Sequence, residues 1–294
     1  MIQPITDYTF LENTVWRLKS LYPVLQVKTI GKSVVGRSIY ALEIGRENAP
    51  AVLFCGTFLG TDEISGGVLL QFTERLLWAL QENQELSGVT PTAILQNRKI
   101  VVIPFVNPDG REICARGAHC GGVDSGRVRR LSSGCTENWD ANARGVTLTG
   151  NFNWGFSARR IREKDKGVFG PVPWGYSGPF PESEPETVAI SHYCQNHSLL
   201  YAVNFFKGCG RIYWRSQKET PTKVRQMAQV LSLCAGYEME APMGKIMDTG
   251  FRNWFCKTIR QPALDVMINC KNKLQGGEGF YPELEELLTV ACLL

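Results

Sequence analysis

The chain has 294 residues, 44% of them hydrophobic and 20% charged, with a formal net charge of +4. That balance describes an ordinary globular chain able to bury a sizeable core, and so mild a charge calls for neither nucleic acid nor a membrane as partner. No apolar run approaches the roughly 18–20 residues that span a bilayer, and the start, MIQPITDYTF, lacks the pattern of a secretory signal, so a cytoplasmic protein is expected.

Phe10, Val15, Leu18 and Leu21 recur at helical spacing and predict an amphipathic helix over residues 9–21. Residues 25–45 predict a strand pair, LQVKTIGKS and RSIYALEIG, around a turn at Val35-Gly36. Ala51–Cys55 reads as a short apolar strand running into Gly56, and a helix carrying Ile64, Val68, Leu69, Phe72 and Leu76 follows. Lys99–Val106 is another apolar strand, ending in the turn Asn107-Pro108-Asp109-Gly110, where Asp109 and Gly110 read as structural. Residues 111–180 are rich in Gly, Arg and Trp and read as long loops, which inside a compact domain usually carry function. Ser183 is the expected cap of the next helix, with Pro185 in its first turn and Glu186 completing a capping box, and this helix runs to about Leu200. Then come a strand over Tyr201–Phe206, a helix over 222–235, a strand over Pro262–Ile268 and a closing helix over Glu283–Val290. Apolar strands alternating with helices predict a sheet covered on both faces. With no repeat and no linker, residues 1–294 read as a single domain.

Two basic clusters stand out, one of Arg111, Arg116, Arg127, Arg129 and Arg130, the other of Arg159, Arg160, Arg162, Lys164 and Lys166. They read as solvated loop charge or as the surroundings of an anionic ligand. The ten cysteines follow no disulfide framework, and most are expected to be reduced and buried. Cys114, His119, Cys120 and Cys135 offer zinc-type side chains in one region, although their spacing is not that of a zinc ribbon or finger.

In order along the chain lie IGKSVVGRSIYALEIG, FCGTFLGTDE, VVIPFVNPDG, NARGVTLTGNFN, YSGPFPESEPET, IYW, GFRNWF and RQPALDV. This series resembles the zinc carboxypeptidases, and within them the bacterial branch that cleaves γ-D-glutamyl–diamino acid bonds in peptidoglycan stem peptides. The resemblance implies a three-layer α/β/α sandwich with a mixed, mostly parallel central sheet. It also implies a zinc ion held by two histidines and a glutamate with an open position for water, a glutamate general base, and arginines that polarise the carbonyl and grip the substrate carboxylate.

The positions that the resemblance assigns to this chemistry hold other residues. Aligned on Gly56 and Gly60, the first histidine is Leu59 and the glutamate is Asp62; the second histidine is Phe206 and the general base is Met267. The family string Gly-Val-Asp-Leu-Asn-Arg-Asn-Phe here reads Gly145-Val146-Thr147-Leu148-Thr149-Gly150-Asn151-Phe152. Arg144 is the one catalytic-type group that survives, and Arg144 and Tyr213 are the expected substrate-binding residues; Trp214 reads equally as cleft or wall. His119, His192 and His197 fall at no ligand position, and His192 and His197, five residues apart, do not share a helix face. Cys209 and Cys270 follow Phe206 and Met267 by three residues, and Cys209 has no adjacent histidine to act as its base.

Three apolar residues at one point suggest a metal cavity refilled as core, with Asp62 stranded and paired to Arg144. The expectation is therefore a protein that has lost zinc and peptidase activity, with no cofactor, binding a peptide or a cell-wall fragment. The alternatives are an active zinc peptidase with ligands drawn from elsewhere, and a structural or interaction protein with a closed cleft.

Overall fold

Among the described residues, 6–214, 222–240, 250–269 and 282–294 of a computed structural model, eight strands form one sheet. They are β1 (Gln26–Lys32), β2 (Ser38–Ile44), β3 (Ala51–Cys55), β4 (Lys99–Ile103), β5 (Leu199–Gly208), β6 (Arg211–Tyr213), β7 (Glu238–Glu240) and β8 (Ala263–Asn269), in the spatial order β1-β2-β4-β3-β5-β8-β6-β7. The central strands β4, β3, β5 and β8 run parallel, while β1, β2 and β6 pair antiparallel at the flanks. The helices are α1 (Tyr8–Leu21), α2 (Ser65–Glu82), α3 (Pro91–Leu95), α4 (Pro108–Arg116), α5 (Ser125–Leu131), α6 (Phe156–Asp165), α7 (Pro185–Asn196), α8 (Thr222–Ala235), α9 (Phe251–Thr258) and α10 (Pro282–Ala291). None among the described residues is long and apolar enough to cross a membrane.

Strand periodicity divides the core in two. Successive side chains of a strand leave on opposite faces. On β3, Val52 and Phe54 join a core with α1, α2, α8 and α10, while Ala51, Leu53 and Cys55 join one with α7 and α9. This is the three-layer α/β/α sandwich with a mixed sheet. A smaller cluster of Ile113, Val128, Trp139, Ala141 and Ala143 lies under the long connections.

Several local expectations change. The NPDG segment is not a free turn but the start of α4: Asn107 Oδ1 accepts from Gly110 N at 2.9 Å, and Pro108 takes the first helical position. Asn-Pro serves a turn and a helix start equally well, and only the continuation decides. Asp109 is structural, accepting from Ser33 Oγ, Val35 N and Arg37 Nη1. Much of residues 111–180 is helical, in α4, α5, α6 and two short 3-10 segments, because glycines at 117, 134 and 155 cut the periodicity into runs too short to read. Ser183 is not the cap of α7. Glu184 occupies that position, and the Glu186 side chain turns inward to Val34 N and Asn142 instead of back to the helix start. In α1 the buried stripe is Leu11, Val15 and Leu18, capped by Asp7, and Leu21 is exposed. Of the nine described cysteines only Cys55, Cys194 and Cys292 are buried, fewer than expected; Cys270 lies outside the described residues.

The loop after β3 is clamped at Gly60. Its N–H donates to Asp140 O at 3.2 Å, and Arg111 Nη1 donates to its carbonyl at 2.5 Å. A Cβ there would collide with the backbone carbonyls of Trp139 and Gly110. Gly60→Ala is expected to destabilise the protein by about 1–3 kcal/mol, read as a lowered urea midpoint at unchanged slope.

Candidate functional site

The C-terminal ends of β3, β5 and β8 meet at a cavity of about 220 Å³. Leu59 comes from the loop after β3, Phe206 from β5, Met267 from β8 and Tyr213 from β6, and all four line it. Phe206 and Met267 are direct partners in the parallel β5–β8 register. The space is not the closed core patch that was expected. Leu59, Phe206 and Met267 stay half-buried, because the Phe206 ring lies on Phe58 with centroids 5.6 Å apart and planes 26° apart instead of filling the cavity. Phe58 is in turn backed by Phe251. Trp214 is wall packing against the core on the α8 side, with Arg225 over its ring.

Asp62 and Arg144 are not an ion pair. Asp62 is 1% exposed, and its Oδ1 accepts from Ser65 N at 2.9 Å and Ile64 N at 3.2 Å. Its Oδ2 accepts from Ser65 Oγ at 2.7 Å and Lys207 N at 3.0 Å. Burial pushes the carboxyl above its usual range, and these four donors pull it back. The start of a helix supplies aligned N–H groups and partial positive charge, so a buried carboxylate there needs no cation. Arg144 lines a separate, open cleft with Lys32, Ser183, Pro185 and His192, and its Nη1 lies 3.6 Å from Glu184. Beneath it, Glu184 and Glu186 both accept from Asn142 Nδ2. Burial, reinforced by Asp109, raises the Glu186 carboxyl to about 8.

The cations of the cavity are Arg159 and Arg252. Arg252 is 3% exposed and bonds Asp265 at 2.8 Å, and Asp265 also accepts from Asn204 Nδ2 at 2.8 Å. Arg159 bonds Glu163 at 3.2 Å. Its guanidinium occupies the space beside Gly150, where an added Cβ would lie 2.6 Å from Arg159 Cζ. Burial lowers the Arg159 pKa from its ordinary value, opposed by Glu163. Arg159 stands in the second basic cluster, which reads as loop charge or as the surroundings of an anionic ligand, and nothing in the sequence singles out Arg252. The usable signal was Gly150, which stands where the family string has an arginine.

A model of the family described as zinc carboxypeptidase matches residues 11–245. The chain belongs to the zinc carboxypeptidase family. It is 24% identical over 264 residues to the γ-D-glutamyl-L-diamino acid endopeptidase 1 of Lysinibacillus sphaericus, covering 89% of this chain and 65% of that protein. It is also 26% identical over 247 residues to the human carboxypeptidase N catalytic chain, covering 79% and 49%. This chain thus spans about two thirds of the first relative and half of the second. Thrombin-activatable fibrinolysis inhibitor superposes with a TM-score of 0.71 over 98% of this chain and 73% of its own, at 16% identity. The family match ends at residue 245, before Met267, whereas the structural likeness covers nearly the whole chain.

The residues present do not fit the zinc of the zinc carboxypeptidase family. Leu59 and Phe206 carry no donor atom, and both oxygens of Asp62 are taken by N–H and O–H groups. Among the described residues no three His, Cys, Asp or Glu side chains gather where they could hold an ion, the Cys114, His119, Cys120 and Cys135 region included. His197 stacks on Tyr193 at 4.0 Å, and His192 lines the Arg144 cleft. Cys209 is exposed in a further cleft with Arg211 and Tyr237.

Two outcomes follow from these contacts. Asp62→Ala strips the α2 start and the Lys207 N–H of their acceptor and should cost about 2–4 kcal/mol in urea unfolding, with Asp62→Asn recovering part of it. For Glu186 the folded pKa lies above the unfolded one, so its stabilisation is full below about 4.5 and is lost as pH rises through about 8. Stability should fall across that window at up to about 1.4 kcal/mol per pH unit, and Glu186→Gln should flatten the fall.

Proposed function

We propose that this member of the zinc carboxypeptidase family neither holds zinc nor hydrolyses peptides, and instead binds a short peptide or a peptidoglycan stem-peptide fragment in the cavity between β5, β8 and α9. The observation that carries this reading is the state of Asp62. A carboxylate whose two oxygens accept four hydrogen bonds from the start of α2 and from β5 would have to give these up to serve as a metal ligand. Leu59 and Phe206 beside it offer the metal nothing.

The cavity supports a binding role over a closed, purely structural one. It keeps about 220 Å³ of space and pairs an apolar wall of Leu59, Phe206, Phe251 and Met267 with Arg159. Such a wall suits an aliphatic or aromatic side chain, and a guanidinium at its edge suits a free carboxylate. Tyr213 also lines this cavity, whereas Arg144 faces a different cleft.

The test combines metal analysis of the purified protein with calorimetry and a hydrolysis assay on a γ-D-glutamyl–diaminopimelate peptide and its C-terminal amide. The expected result is sub-stoichiometric zinc, no turnover, and binding of the acid in preference to the amide. Arg159→Met should weaken acid binding by about 10–100-fold, the worth of a charge-assisted hydrogen bond, and leave amide binding unchanged. Stoichiometric zinc with turnover would overturn the reading, and absence of binding to both peptides would restore the structural alternative.

A further inference from the structure

The surface around α6 combines two properties, basic charge and exposed apolar side chains. Residues 154–180 hold five Lys or Arg and two Asp or Glu, a net +3 of the chain's +4. The same stretch holds five of the fourteen large hydrophobic side chains exposed among the described residues.

Geometry joins the two. Glu163 fixes the inward face of α6: it is buried and takes Arg159, Arg160 and the Ser177 N–H. At about 100° per residue, Ile161 stands about 200° round the helix from Glu163, on the outward side, and is 62% exposed. Arg162, Lys166, Val168 and Trp174 line a small notch of about 150 Å³ along the flank of α6. Trp174 is 61% exposed, and Phe169, beside Val168, is 71% exposed. Lys164 and Lys166 are also exposed on this helix, against one exposed carboxylate, Asp165.

Single exposed apolar residues are ordinary, but a cluster of projecting rings set among cations is not. Ile161 and Phe169 lie outside the notch and are largely exposed, so a rigid partner seated in the notch would leave them uncovered. A soluble polyanion would meet the charge and leave Ile161 and Phe169 in water. The boundary between lipid headgroups and acyl chains satisfies both: Trp and Phe rings are favoured at that depth, and anionic headgroups attract Lys and Arg. We propose that the outward face of α6 and the 168–174 segment form a docking surface for an anionic lipid membrane. The expectation of no membrane partner rested on average charge, which dilutes this local excess across the chain. The proposal is independent of what the cavity binds. Arg159 lines both the cavity and the notch, so docking would bring the cavity close to the lipid surface.

The experiment is co-sedimentation of the full chain with vesicles of phosphatidylcholine alone or with one quarter phosphatidylglycerol, at low and high salt. Partitioning onto the anionic vesicles should exceed that onto the neutral ones by about 10-fold or more and weaken with salt. The double variant Phe169→Ser/Trp174→Ser should lose most of the binding, while Trp16→Ser, at an exposed tryptophan on α1, should not. Lys164→Glu/Lys166→Glu should remove the preference for anionic lipid. These side chains are exposed, and an unchanged unfolding midpoint confirms the fold of each variant. The proposal fails if the chain binds neither vesicle or both equally. It also fails if dextran sulfate binds as tightly as the vesicles do, or if the ring variant sediments like the original.

Discussion

Four hydrogen bonds to one carboxylate organise the centre of this molecule. Asp62 accepts from the first N–H groups of α2, from the Ser65 hydroxyl and from the N–H of Lys207 on β5. It therefore ties the loop after β3, the start of the longest described helix and the end of the neighbouring strand to one buried point. The positions of Leu59 and Phe206, on either side of it, depend on that knot. The same contacts that stabilise the fold occupy both oxygens of the carboxylate, each of which already accepts two hydrogen bonds.

Around that point the cavity stays open. The Phe206 ring turns onto Phe58, which packs in turn on Phe251, extending the aromatic cluster of the α9 side and leaving an open space lined by Met267. Charge enters from elements distant in sequence. Arg159 reaches in from α6 through the gap that Gly150 leaves, and Arg252 is held by Asp265 on β8. Arg252 is paired with Asp265, and Arg159 shares Glu163 with Arg160, so the cavity is polar at one edge and each of its cations has a carboxylate partner.

Much of the fold was legible because its signals are local. Apolar runs such as AVLFC and KIVVI can only be strands covered on both faces, and the helical stripes of α1, α2 and α8 are regular. Less was legible where one string serves two structures. Asn107-Pro108-Asp109-Gly110 reads as a turn and starts a helix, and Ser183 looks like a cap although Glu184 holds that place. The site was legible in its residue types, since a leucine or a phenylalanine carries no donor atom wherever it points. Its pairings were not. Asp62 and Arg144 were opposite charges with no visible partners, but the partners of Asp62 are backbone N–H groups, which every residue carries and no sequence pattern marks.

The sequence by itself determined the family, the sheet covered on both faces and the donorless side chains of Leu59 and Phe206, because these follow from residue type and short-range order. Only the tertiary structure decided that the cavity stays open, that Arg159 rather than Arg144 faces it, and that Arg162, Lys166, Val168 and Trp174 line one notch beside α6. Those are distances between segments far apart in the chain. They are set by how helices pack over the sheet, which no single segment encodes.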